Sequence, residues 1–153
     1  MSVLATLVLA ALQTDSSPNG RDVFSLELDA QGAVRWGYAR GGQEVIGSSG
    51  LGFLLDVNHK IRNFTLDEQA NFTNGFRIVS VSRSEKDETW RPVWGEESEI
   101  RENYREMVVD LRQAFFEDRG FVLRVRIFND GVGFRYELVL SQSWGWNSRR
   151  SAA

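Results

Sequence analysis

A chain of 153 residues with 42% hydrophobic and 25% charged residues has room for one domain with its own core and is not a disordered tail. Its net charge of −3 gives no electrostatic footprint for nucleic acid, and the absence of cysteine excludes disulfides and thiolate metal sites. The single histidine, His59, rules out multi-histidine zinc sites and leaves a Ser-His-Asp triad without support, so it is expected in a solvated loop.

Val3 to Leu12 is an apolar run too short to span a bilayer, and polar Gln13-Thr14-Asp15 comes directly after it. It is similar to the apolar segment of a secretory signal, although no Lys or Arg precedes it and no clear Ala-x-Ala site comes after it. Residues 1–13 are therefore expected to be a signal-peptide remnant, with a buried strand or helix as the other reading. No membrane span is expected, and the protein is expected to be periplasmic or secreted.

From Val23 onward, period-two alternation dominates the chain. Phe24, Leu26 and Leu28 point one way while Val23, Ser25 and Glu27 point the other, as in a half-buried strand. Asp29-Ala30-Gln31-Gly32 supplies a turn, Val34, Trp36 and Tyr38 resume the alternation, and Arg40-Gly41-Gly42 turns again. Gly47-Ser48-Ser49-Gly50-Leu51-Gly52 lacks the lysine of a phosphate-cradling loop and is expected as a turn before a strand at Phe53-Leu54-Leu55. Asn63-Phe64-Thr65 and Asn71-Phe72-Thr73 match the N-glycosylation pattern and are expected in exposed loops or an edge strand.

Arg77 to Ser82 reads as a strand and Ser84 to Glu88 as a charged loop. Glu96 to Glu106 has some helical spacing, which its like charges and β-rich surroundings weaken. Val108 to Leu111 reads as a strand, Glu117-Asp118-Arg119-Gly120 as its turn, and Phe121, Leu123, Val125 and Ile127 as one face of the next strand. Asn129-Asp130-Gly131 is a hairpin signal that returns Phe134, Tyr136 and Leu138 alongside. The fold class is all-β, an antiparallel β-sandwich of two packed sheets.

Trp90-Arg91-Pro92-Val93-Trp94-Gly95-Glu96 puts two tryptophans, a proline and a glycine within seven residues, and Ile100 to Glu106 then alternates charges around Tyr104. Two readings stand. Trp-Pro and Trp-Gly pairs mark tight corners of β proteins, and aromatic faces beside charges also recognise sugar rings or a neighbouring domain. Trp90, Trp94, Glu96, Arg101, Tyr104 and Glu106 are the candidate carbohydrate-binding or domain-interface residues.

The order of these blocks, with Ser17-Pro18-Asn19-Gly20 before them and Phe134-Arg135-Tyr136-Glu137 after them, resembles the N-terminal domain of glycoside hydrolase family 97. The resemblance covers about Thr14 to Leu138, giving an incomplete β-sandwich domain over 14–140 and a tail, 141–153, unlike the family's continuation. It implies part of a galactose-mutarotase-like super-sandwich and bacterial α-glucosidase or α-galactosidase enzymes of carbohydrate metabolism. It also implies a (β/α)8 catalytic barrel as partner, carrying the catalytic carboxylates and acting on an α-linked oligosaccharide. That barrel is not part of this sequence, so the chain reads as a fragment, inactive alone, that packs on the barrel and helps to complete its active site.

Glycoside hydrolysis needs paired carboxylates, but none is assigned here as catalytic. Glu96, Glu97, Glu99, Glu102 and Glu106 are expected to be solvated or paired with Arg101 and Arg105. No cofactor is expected in this chain: the family's calcium ion would take its ligands mostly from the missing region, and Glu137 is the one alternative ligand here. The other functional readings are a stand-alone carbohydrate-binding module, with Trp90, Trp94 and Tyr104 stacking on sugar, and a truncated product without retained activity.

Overall fold

Alternating apolar residues build strands here because each strand has one face to bury. In the computed structural model, which describes residues 12–54, 71–94, 98–114 and 116–139, ten strands carry the fold. They are β1 (Gln13–Ser16), β2 (Asp22–Leu28), β3 (Val34–Arg40), β4 (Gln43–Leu51), β5 (Phe53–Leu54), β6 (Asn71–Phe72), β7 (Phe76–Trp90), β8 (Ile100–Gln113), β9 (Phe116–Phe128) and β10 (Gly131–Val139). Residues 1–11 of the expected signal segment, His59, the Asn63 acceptor, Glu96 and the tail 141–153 lie outside the described residues, while Gln13, at the end of that segment, opens β1.

The first sheet runs β1-β2-β3-β4 and the second β10-β9-β8-β7, with all neighbours antiparallel. Phe24, Leu26 and Val34 of the first sheet are fully buried against Met107, Val109, Leu111, Phe121, Leu123, Val125 and Ile127 of the second. This is the expected all-β sandwich. The short β5–β6 pair adds a plug: Phe53 and Phe72 stack at 4.9 Å, and Phe53 meets Tyr136 edge-on at 5.2 Å.

Three expectations change. Gly47 to Leu51 continues β4, and only Gly52 separates it from β5. At Gly52 a Cβ would stand 2.6 Å from the Phe72 carbonyl oxygen, so this glycine permits close backbone approach. Asn71-Phe72 of the second acceptor sequence forms β6, an edge strand as expected, though Phe72 is fully buried, and Asn71 Oδ1 accepts a hydrogen bond from the Thr73 amide. Ser84 to Glu88 belongs to β7 because its charges find opposite partners across β8.

The expected turn at Glu117 to Gly120 lies inside β9, and Gln113 of β8 already pairs with Phe116 of β9. Arg119 is 3% exposed, with its guanidinium 4.6 Å above the Phe72 ring and donating to the Asn71 carbonyl at 3.0 Å. Gln113 Nε2 donates to the Asn71 and Asn74 carbonyls, so the ends of β8 and β9 together grip the segment around β6. The helical spacing at Glu96 to Glu106 gives no helix among the described residues: Ile100 to Glu106 is strand, as its β-rich surroundings indicate.

Candidate functional site

The register of β7 on β8 decides what the Trp90–Glu106 block becomes. Trp90 pairs with Ile100 and Phe76 with Gln113, whereas β9 reaches only as far as Tyr104, opposite Phe128. Beyond that row, Asp87 to Trp90 and Ile100 to Asn103 form a two-stranded ribbon projecting past the sandwich. Isolated ribbons are marginal in water, and this one is laced by ion pairs across its strands. Lys86 meets Glu102 at 2.6 Å, Arg101 meets Asp87 at 2.7 Å, Arg105 meets Glu85 at 3.7 Å, and Arg91 meets Glu99 at 2.7 Å.

Hydrogen bonding from Arg101 holds the Asp87 carboxyl below the usual carboxylate range, and Lys86 does the same for Glu102. The sequence pairs the glutamates with Arg101 and Arg105. Strand geometry sends these two arginines across the ladder instead, to Asp87 and Glu85 on β7.

The six candidate residues divide into two places. Trp90 is 42% exposed and Trp94 89%, with Val93 between them 99% exposed, so the end of the ribbon is an apolar tip. Arg101 lies beside it, bound to Asp87 through both Nε and Nη2. Tyr104 and Glu106 are buried at the base, on the outer face of the second sheet. Tyr104 packs on Phe128 at 5.3 Å and beneath the Arg126 guanidinium at 4.5 Å, so it has no free face for a sugar.

Glu106 is held by two residues that sequence reasoning passed over. Arg124 Nη1 donates to its Oε1 at 2.6 Å and Arg126 Nε to its Oε2 at 2.9 Å. Burial opposes the Glu106 charge, but these hydrogen bonds outweigh it and keep the carboxyl below its ordinary range. The signal for the two arginines was present: they alternate with Val125 and Ile127, so burial of those two turns Arg124 and Arg126 outward.

Glu137, the alternative calcium ligand, accepts from Arg124 Nε at 2.8 Å and from Arg135 Nη2 at 2.7 Å. Hydrogen bonds from Arg124 and then Arg135 draw its carboxyl down to about 2. A carboxylate between two guanidiniums does not fit a calcium site, where hard oxygen ligands must converge on the ion. Among the described residues no group of three His, Asp or Glu side chains is placed to hold a metal.

On the first sheet, Asp22 is fully buried. It accepts from the Tyr38 hydroxyl and from Arg40 Nε at 2.7 Å, tying the start of β2 to the end of β3. Burial opposes its charge, and the bonds from Tyr38 and Arg40 lower its carboxyl all the same. Asp22, Glu102, Glu106 and Glu137 are thus each bound to a cation.

Comparison with known proteins agrees with this arrangement. Residues 16–147 match the family described as Glycosyl-hydrolase 97 N-terminal, carrying the likeness seven residues past the boundary expected at 140. A family 97 glycoside hydrolase from Pseudoalteromonas sp. strain K8, solved as a variant with panose and separately with acarbose, superposes with a TM-score of 0.69 at 26% identity. The match covers 82% of this chain and 17% of that one. A β-arabinopyranosidase shares the fold at 14% identity and a TM-score of 0.69, over 86% of this chain and 19% of its own. The chain thus spans under a fifth of the length of the enzymes it resembles. On the match over residues 16–147, it belongs to the glycoside hydrolase family 97 N-terminal domain family.

Proposed function

We propose that this chain is the non-catalytic β-sandwich that packs on the (β/α)8 barrel of a family 97 enzyme and helps to complete its active site, in a bacterial α-glucosidase or α-galactosidase acting on α-linked oligosaccharides. The observation that carries this is the ribbon tip. Trp90, Val93 and Trp94 are exposed on a projecting hairpin whose charges are satisfied within the ribbon. Such a tip buries apolar area without first breaking ion pairs, which suits docking into a neighbouring domain. The likeness to an enzyme solved with panose and with acarbose supports the substrate class. The apolar run Val3 to Leu12 supports export to the periplasm.

The test mixes the purified chain with a separately produced family 97 barrel. The chain alone should release no sugar from α-glucosides or α-galactosides, with or without calcium. It should bind the barrel, and Trp94→Ala should weaken that binding by about 2 kcal/mol, or about thirtyfold. A second titration uses maltooligosaccharides and tryptophan fluorescence. Saturable quenching at submillimolar sugar, lost in Trp94→Ala, would instead make the tip a sugar-binding platform.

A further inference from the structure

Rows of side chains on the outer face of the second sheet are set by its register. Glu106 lies opposite Arg126, which lies opposite Gly133, and in the next row Arg124 lies opposite Arg135. Three guanidinium groups thus share a patch whose remaining corner is a glycine. A Cβ on Gly133, or on nearby Gly131, would meet nothing within 4 Å. The missing side chains leave a trough of about 180 Å³ lined by Arg124, Arg126, Phe128, Gly133, Phe134 and Arg135, with no carboxylate on its wall.

The arginines are fixed before any ligand arrives. Glu106 holds Arg124 and Arg126 together, Glu137 holds Arg124 and Arg135, and Tyr104 supports the Arg126 plane from below. Arg126 gives its Nε–H to Glu106, and its terminal N–H groups have no acceptor among the described residues. The trough wall itself carries three guanidiniums and no carboxylate; Glu106 and Glu137 bind these arginines from its rim, and Glu102, which also acts on Arg126, is bound to Lys86. A planar fork of unused N–H donors is the geometry that recognises a carboxylate. The trough is smaller than the roughly 300–1,000 Å³ of pockets that enclose whole small molecules, and it lies open on a sheet face. One side chain fills it.

We propose that this trough is an interaction surface for a partner polypeptide that presents an aspartate or glutamate side chain, seated between Arg126 and Arg135 with its methylene groups against Phe128. It does not depend on the ribbon tip, so either surface can fail while the other stands.

The experiment monitors the arginine Nε–Hε signals of the isotope-labelled full chain by NMR during titration with N-acetylglutamate methylamide, a blocked glutamate residue. Saturable shifts at Arg126 and Arg135 are expected, with the blocked glutamine analogue at least about tenfold weaker, the size of one charge-assisted contact. Arg126→Gln should cost about the same. Because Arg126→Gln also removes a partner of buried Glu106, Gly133→Val provides a second variant: it fills the trough without altering a charge and should abolish the shifts while preserving the backbone amide spectrum. Trp94→Ala should leave them unchanged. Equal binding of the glutamine analogue, or shifts retained in Gly133→Val, would overturn the proposal. Tighter binding of glucuronate or inorganic phosphate than of blocked glutamate would overturn its assignment to a protein side chain.

Discussion

At Gly120 one absent atom allows the two central strands of the second sheet to pair. A Cβ there would stand 2.0 Å from the Leu111 carbonyl oxygen and 2.8 Å from Arg112 Cδ, and the first of these is backbone that cannot yield cheaply. Gly120→Ala should therefore cost about 1–3 kcal/mol or more. Gly131→Ala, where a Cβ meets nothing, should stay within about 0.5 kcal/mol. Urea unfolding midpoints of the two variants check both values. The same glycine explains the misplaced turn: Glu117-Asp118-Arg119-Gly120 has turn composition, and composition does not separate a glycine chosen for a turn from one chosen for close approach. Acid sensitivity also belongs to single residues. Hydrogen bonds from Arg124 and Arg135 depress the Glu137 carboxyl from 4.5 to about 2, and the carboxyls of Glu106 and Asp22 are depressed as well. A group whose folded pKa is lowered stabilises fully above its unfolded value and loses that contribution as pH falls through the folded one. The thermal midpoint should therefore hold down to about pH 5 and fall between there and about pH 2, with Glu137→Gln flattening the acid end of the slope. A midpoint that rises on acidification would contradict the ion-pair assignments.

Among the elements, the β7–β8 hairpin separates what alternation reveals from what it hides. Along β9, Phe121, Leu123, Val125 and Ile127 were legible as one face because each meets the core, and all four are fully buried. Ser84 to Glu88 looked like a loop because no residue in it is apolar; its strand character comes from the charges facing it on β8. Those partners are 14 to 20 residues away in sequence, as with Asp87 and Arg101 or Glu85 and Arg105, and nothing local announces them. The exposed tip and the sandwich core should accordingly respond differently to mutation. Trp94→Ala at the exposed tip should leave the unfolding midpoint within about 0.5 kcal/mol of the parent. Phe121→Ala, fully buried and edge-on to Phe76 at 5.0 Å and to Tyr136 at 5.2 Å, should cost about 3–5 kcal/mol. Equal losses from the two would mean that the tip folds back onto the sandwich.

For the molecule as a whole, the two sheets are held in register by contacts far apart in the chain. The Asn19 amide donates to Asn129 Oδ1 at 3.0 Å across 110 residues, and Arg83 Nη2 donates to the Thr14 carbonyl at 3.2 Å. The all-β class was readable from period and turn chemistry, but contacts like these were not, since they depend on which strands become neighbours. Among the described residues the two sheets leave β1, β4, β7 and β10 as edges. β7 carries Arg83, Glu85, Lys86, Asp87 and Glu88 along its outer half, charges of the kind that discourage further pairing. β10 is less protected: Phe134 is 37% exposed and Leu138 45%, and Leu54, at the end of β5, is 70% exposed. Exposed apolar residues beside an open edge are a route to association. Sedimentation velocity should therefore show association that grows with concentration through the micromolar range. Leu138→Lys, which places a charge on the open strand at a position already in contact with solvent, should shift the distribution toward monomer without lowering the unfolding midpoint. If the parent chain sediments as a single monomeric species over that range, β10 is not an adhesive edge. If Leu138→Lys associates as strongly as the parent, the contact runs through another surface, and the exposed tip at Val93 and Trp94 is the next to alter.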